Sequence, residues 1–213
     1  MKIKQKHVIA PAAVVLLLLG TPAIQADDNL EKATMEVLKS SFRSQGQAKV
    51  EWLEQDAVQK ACSAATPPTA DAAKKIEAEQ FATVKWPADG KYLGDWKAGE
   101  QLAQSGRGMT WSDKPDAGNG GGCYNCHQIS KEEISFGTIG PSLLNYGKLR
   151  GVADPAAAAS EPIVKYTWAK IYNAKAYNAC SSMPRLGHEG VLTEKQIKDA
   201  MALLLDPQSP VNK

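Results

Sequence analysis

Histidine, cysteine and aromatic residues are all scarce in this 213-residue chain. Three histidines and four cysteines leave a narrow choice of residues for metal or nucleophilic chemistry. Three Phe, six Tyr and five Trp amount to 7% aromatic, a lean supply for a core. There is no excess of one charge. Of 25 basic side chains, Lys2, Lys4 and Lys6 stand in residues 1–26, where there is no acid; the remainder has 22 basic against 23 acidic side chains, or −1. Such a body has no electrostatic reason to bind nucleic acid. No apolar run reaches the roughly 20 residues a spanning helix needs. Strand-like alternation and internal repeats are also missing. What remains is ordinary: 43% apolar and 23% charged residues, the composition of a globular chain.

The N-terminus reads as an address. Residues 1–7 are basic, 8–20 are apolar with the run VVLLLLG, and 21–26 end in IQA before Asp27. A basic n-region, an apolar h-region and a small-residue cleavage site make a secretory signal peptide, expected to be cleaved near Ala26. A retained anchor is the alternative, and the short apolar run counts against it. The mature protein is expected to be exported, with no membrane span after cleavage. In a Gram-negative cell that means periplasmic, where disulfides persist.

Apolar residues at helical spacing predict helices over 28–60, interrupted near Gly46, and over 71–81, 95–105, 167–176 and 193–205. The last is the clearest, with a capping-box pair Thr193 and Gln196 and a face of Ile197, Ala200, Met201 and Leu204. Pro67-Pro68 and 86–90 read as breaks. The chain is thus read as a signal peptide (1–26), a helical extension (27–85) and a compact unit (86–213). The expected fold class is all-α with long loops. A compact domain rarely carries so much irregular chain with nothing to wrap, which points to a large buried ligand.

Residues 123–127, CYNCH, say which ligand. Two thiols at i and i+3 can add across the two vinyl groups of haem, and the following His can reach the iron; C-x-x-C-H is the c-type haem attachment pattern. With this chain's few Cys and His, a shuffled sequence shows it roughly once in a thousand. A thioredoxin-like pair wants a βαβ setting, which is missing. A zinc site wants a second ligand pair, and Cys62, Cys180 and His188 are not arranged as one. A plain Cys123–Cys126 disulfide leaves His127 unexplained. One covalently attached haem c is therefore expected on Cys123 and Cys126, with His127 as an axial ligand.

For the opposite axial ligand, Met201 belongs to a core face, Met35 to the extension, and Met109 precedes the attachment site. Met183, followed by Pro184 in a loop between two helices, is the expected ligand; its bland reading is a core gap-filler. His188, five residues on, is the rival, more simply read as a surface or haem-edge residue. The Pro141 carbonyl, 14 residues after His127, is a candidate to orient the imidazole; an ordinary turn at Gly140-Pro141 is the equal alternative. Cys62 and Cys180 remain and are expected to pair as a disulfide in an exported chain; a reactive thiol beside the haem is the alternative.

C-x-x-C-H, then Gly-Pro, then Met-Pro, between DWKAGEQL and QIKDAMALLL, resembles the class I c-type cytochromes. GTIGPSLLNYGKLRG, YTWAKIYNAKAYNACSSMPRLGHEG and LTEKQIKDAMALLLDPQSPVN resemble the SoxX family, the monohaem subunits of the SoxAX cytochromes of thiosulfate oxidation. The resemblance covers about 86–213. It implies a class I cytochrome c fold wrapped around one haem, held by Cys123 and Cys126, ligated by His127 and Met183 and supported at His127 by Pro141. It further implies a heterodimer with a SoxA cytochrome subunit, forming an L-cysteine S-thiosulfotransferase. That complex joins thiosulfate oxidatively to a cysteine of the SoxYZ carrier. The bond forms on SoxA, and this chain passes electrons to a downstream cytochrome, with no catalytic residue of its own. The second hypothesis is a free periplasmic monohaem cytochrome carrying electrons between a dehydrogenase and an oxidase.

Overall fold

The structure is a computed structural model that describes residues 28–114 and 118–213. The expected signal peptide lies outside the described residues. The chain divides into two units after Ser41. The described part of the first is one helix, α1 (Asp28–Ser41). Along 29–41 its side chains are exposed except for half-buried Met35 and Leu38.

The second unit, Phe42–Lys213, holds α2 (Ala57–Ser63), α3 (Ala70–Ala82), α4 (Trp96–Gln104), α5 (Tyr146–Leu149), α6 (Glu161–Tyr172) and α7 (Glu194–Leu205). Among the described residues there is no strand, only an isolated bridge between Gln45 and Ala48, so the protein is all-α. The helical stretch expected over 28–60 is interrupted around Gly46, as the sequence suggests, and resumes only as a 3-10 turn at Val50–Leu53 and helix α2. Gly46 takes a left-handed φ of 55°, and its position lies so close to the Trp111 carbonyl that a Cβ would sit 2.2 Å from that oxygen. Glycine alone suits both demands. The helix expected over 167–176 begins earlier, at Glu161, with Pro162 in its first turn, where a missing N–H costs nothing.

The C-terminal helix α7 is the centre of the core. It buries Ile197, Met201, Leu203 and Leu205 completely and opens on the expected capping box of Thr193 and Gln196. Helix α4 crosses it closely: a Cβ on Gly99 would lie 2.2 Å from the Asp199 carbonyl oxygen. The Gly94 amide donates to the Lys198 carbonyl at 2.8 Å, and the Asp95 amide to Asp199 Oδ1 at 2.9 Å. Helix α6 adds the buried Trp168 and Ala169.

Residues 42–85 share this unit with 86–213, although the sequence suggested a boundary at 85. The reason is polar as well as apolar. The buried Asn173 donates to Gln80 Oε1 and to Thr83 Oγ1, each at 3.0 Å. The Trp168 indole N–H donates to the Lys85 carbonyl at 2.8 Å. Buried donors of this kind fix neighbours in place because leaving them unpaired is costly.

Candidate functional site

Residues 123–127 form one tight turn. Gly122, at φ 55°, leads into a 3-10 turn, Cys123–Asn125. The amides of Cys126 and His127 both donate to the Cys123 carbonyl, at 3.1 and 2.9 Å. The two thiols, three residues apart on this turn, are free of any disulfide. Burial pushes the Cys123 thiol up to about 11. A thiol held protonated in this way is unlike the activated thiolate of a redox C-x-x-C pair. Among the described residues no three His, Cys, Asp or Glu side chains converge as a metal-ion cluster.

The segment after the turn folds back along it. The amides of Gly137, Gly140 and Leu143 donate to the carbonyls of Tyr124, Cys126 and Gln128 at 2.8, 2.8 and 2.7 Å. This alignment brings the Pro141 carbonyl to 2.7 Å from His127 Nδ1. A carbonyl only accepts, so Nδ1 carries a proton. Nε2 makes no hydrogen bond among the described residues and is the nitrogen available to a metal. Gly140 packs directly on the ring: a Cβ there would fall 2.1 Å from His127 Cε1. Of the two readings of Gly140-Pro141, the geometry is that of the orienting carbonyl.

Tyr124 anchors the turn to the core. Its buried hydroxyl donates to Glu100 Oε1 of α4 at 2.8 Å and pairs with Ser130 Oγ at 2.9 Å. Burial, helped by the Glu100 carboxylate, pushes the phenol up to about 12. Glu100 Oε1 also accepts from Gln104 at 2.9 Å, while Oε2 is buried without a partner.

The remaining expected residues lie in the 178–191 loop and its anchors. Cys62 and Cys180 are disulfide-bonded, with Cα atoms 5.4 Å apart. Met183 and Cys123 are both half-buried against the same core. No hydrogen bond among the described residues joins Met183 to the Cys123–His127 turn, and none occupies its thioether. By contrast the Met109 sulfur accepts from Asn119 at 3.2 Å, and Met201 is fully buried in the core. His188 is exposed; among the described residues only its amide is engaged, by the Tyr172 carbonyl at 3.0 Å.

The sequence reading missed two residues here, Asp56 and Arg185. Arg185 is buried yet charged, and it pairs with Asp56 Oδ2 at 2.5 Å and with Glu189. Asp56 caps α2 in a capping box with Gln59. The D-x-x-Q pattern at 56–59 is a legible start signal. Nothing in the sequence marks Arg185 as buried.

The Cys123–His127 turn therefore offers two thiols free of any disulfide and one imidazole whose Nδ1 is tied to a carbonyl, and a tethered loop offers a free thioether. That donor set fits a covalently held haem.

No protein-family profile matches the chain. Over 163 residues it is 40% identical to an uncharacterized lipoprotein of Aquifex aeolicus (strain VF5), a match covering 75% of this chain and 73% of that protein. The chain belongs to the family of that lipoprotein. The matched stretch is longer than the 128 residues of 86–213, so the likeness extends beyond the segment that carries the C-x-x-C-H turn. No described helix is long and apolar enough to cross a membrane.

Proposed function

We propose that this chain is an exported monohaem c-type cytochrome, the electron-transfer subunit of a SoxAX-type thiosulfate-conjugating complex. The observation that carries the haem reading is the C-x-x-C-H turn with His127 Nδ1 tied to the Pro141 carbonyl at 2.7 Å. Cys123 and Cys126 would hold the haem, and His127 Nε2 and the Met183 thioether would ligate its iron. Bound there, the haem supplies a one-electron centre whose potential follows ligand identity, burial and hydrogen bonding.

This chain's own residues do the positioning. Pro141 ties Nδ1 of His127 and orients its ring, and Gly140 leaves the ring its place. Tyr124, Glu100 and Ser130 hold the turn against α4. The close α4–α7 crossing at Gly99 supports a class I cytochrome c fold, in which the helices flanking the attachment site pack together. The relative's description as a lipoprotein supports export. The SoxA partner, the SoxYZ carrier and the downstream cytochrome rest on the sequence resemblance over 86–213. A free electron carrier is the second reading.

The test is expression of the full chain with a haem c maturation system, followed by a denatured visible spectrum. One covalent haem per chain is expected, lost in Cys123→Ala and Cys126→Ala. Met183→His should keep the haem and change its spectrum and potential; no change in either removes Met183 as ligand. Affinity purification from the native host grown on thiosulfate then separates the two readings. A stoichiometric second cytochrome supports the complex. A haem-loaded monomer alone supports the free carrier.

A further inference from the structure

Met183 is bracketed by two tethers that end on the same short helix. Three residues before it, Cys180 is bonded to Cys62 within α2. Two residues after it, Arg185 donates to the carboxylate of Asp56, the N-cap of α2, at 2.5 Å. Pro184, between Met183 and Arg185, has a fixed φ and adds no slack. We propose that α2 and its cap form a lock that holds the Met183 thioether in place. The proposal rests on the haem reading above and deepens it, assigning Arg185 and Asp56 as positioning residues for the axial ligand.

The lock is strong for physical reasons. One tether is covalent. The other is a cation only 8% exposed, which cannot leave its partners without an uncompensated charge. Besides Asp56, Arg185 faces Glu189 and the Gln80 Oε1 of α3 at 3.4 Å. The start of the loop is held as well: Lys175 Nζ donates to the carbonyls of Ala179 and Ser181 at 3.2 and 3.4 Å. The Ala179 amide donates to Glu77 of α3 at 3.1 Å. A neutral thioether is a soft donor and a poor match for ferric iron, so the position of the loop decides whether the thioether stays on the metal. This gives residues 56–85 a role, that of a clamp on the ligand loop.

Competition by an added ligand reads the lock directly. If the loop is released in a fraction of molecules, the apparent affinity for a competing ligand rises in proportion to that fraction. The experiment titrates the haem-loaded full chain, in its ferric form, with imidazole and follows the visible spectrum. Asp56→Asn is the cleanest variant, since Asn is as good an N-cap as Asp and only the ion pair to Arg185 is lost. Asp56→Asn, Arg185→Gln and the paired Cys62→Ser/Cys180→Ser variant are each expected to tighten apparent imidazole binding by about tenfold or more. Each should also speed amide exchange across 181–187. Arg185→Lys should restore part of the wild-type behaviour, keeping the charge but not the planar fork.

Wild-type imidazole affinity in Asp56→Asn and in the bridge variant, with haem present, would overturn the lock while leaving the haem reading intact. A wild-type chain without covalent haem overturns the haem reading and the lock with it, and the first spectrum shows that before any titration.

Discussion

His127 Nδ1 lies 2.7 Å from the Pro141 carbonyl oxygen, and the Gly140 backbone between them touches the imidazole face so closely that no side chain fits. One backbone segment thus both ties Nδ1 of the histidine and sets the orientation of its ring. The ring is held by main-chain atoms, which identifies the residues whose replacement matters.

Gly140→Ala places a methyl carbon 2.1 Å from the present position of His127 Cε1, so the ring must turn away from Pro141. Disturbing an outer partner of a ligating histidine typically costs roughly 10- to 100-fold in metal affinity or activity. Covalent haem yield or stability in Gly140→Ala should fall within that range. Pro141→Ala keeps the accepting carbonyl and should stay near wild type. The comparison is made from haem absorbance per chain after identical expression. Equal loss in both would assign the effect to the proline ring.

The Cys62–Cys180 bridge closes a separation of 118 residues. In the chain-entropy picture a loop of that size contributes about 4–5 kcal/mol by restricting the unfolded chain. Replacing both cysteines by Ser should lower stability to urea by an amount of that order, with α2 and the 178–191 loop opening first. A loss well under 1 kcal/mol would mean that the noncovalent contacts of 56–85 hold the segment by themselves.

Much of this was legible in advance because it depends on local pattern. The capping box at Thr193, the helix near 70–82 and the C-x-x-C-H turn each lie within a few residues of sequence, and the structure has all three. The Cys62–Cys180 pairing was reachable by elimination, since the motif used the other two cysteines. The role of 42–85 was not legible. It depends on Asn173 meeting Gln80 and on Arg185 meeting Asp56, contacts that span 93 and 129 residues. No spacing rule reaches so far, and a buried arginine has the same letter as an exposed one. The break of the 28–60 helix at Gly46 was half legible. The glycine was visible, but its close approach to Trp111 was not.

Acid should weaken the Asp56 tether in a predictable direction. Partial burial works against ionisation of Asp56, but the Gln59 amide and the Arg185 guanidinium outweigh it and hold the carboxyl below its ordinary value. The unfolded chain therefore binds the proton more tightly than the folded one. The stabilisation is present above the ordinary aspartate pKa, about 3.9, and is lost as pH falls through the lower folded value. Asp89, Asp113 and Glu161 are lowered as well, so the readout is the difference between wild type and Asp56→Asn. Between about pH 5 and pH 3 the wild-type melting temperature should fall further than that of Asp56→Asn. Parallel curves would show that the ion pair contributes nothing to stability.

Tyr124 holds the Cys123–His127 turn to α4 through its hydroxyl. With its pKa pushed up to about 12 by burial, the phenol keeps its proton at neutral pH. That proton goes to Glu100 Oε1 at 2.8 Å, so the hydroxyl must accept its other bond from Ser130, at 2.9 Å. Tyr124→Phe removes both bonds at once. It leaves Ser130, only 2% exposed, without this partner, and it leaves Glu100 with Gln104 while its other oxygen is already unpaired. Buried polar groups left without a partner cost about 1–3 kcal/mol each, so Tyr124→Phe should be clearly destabilising in urea. Ser130→Ala removes only the bond that Tyr124 accepts and should cost less. The double variant should cost less than the sum, because the Tyr124–Ser130 bond is lost in either single variant. Equal costs for the two single variants would show that the bond from Tyr124 to Glu100 is energetically idle.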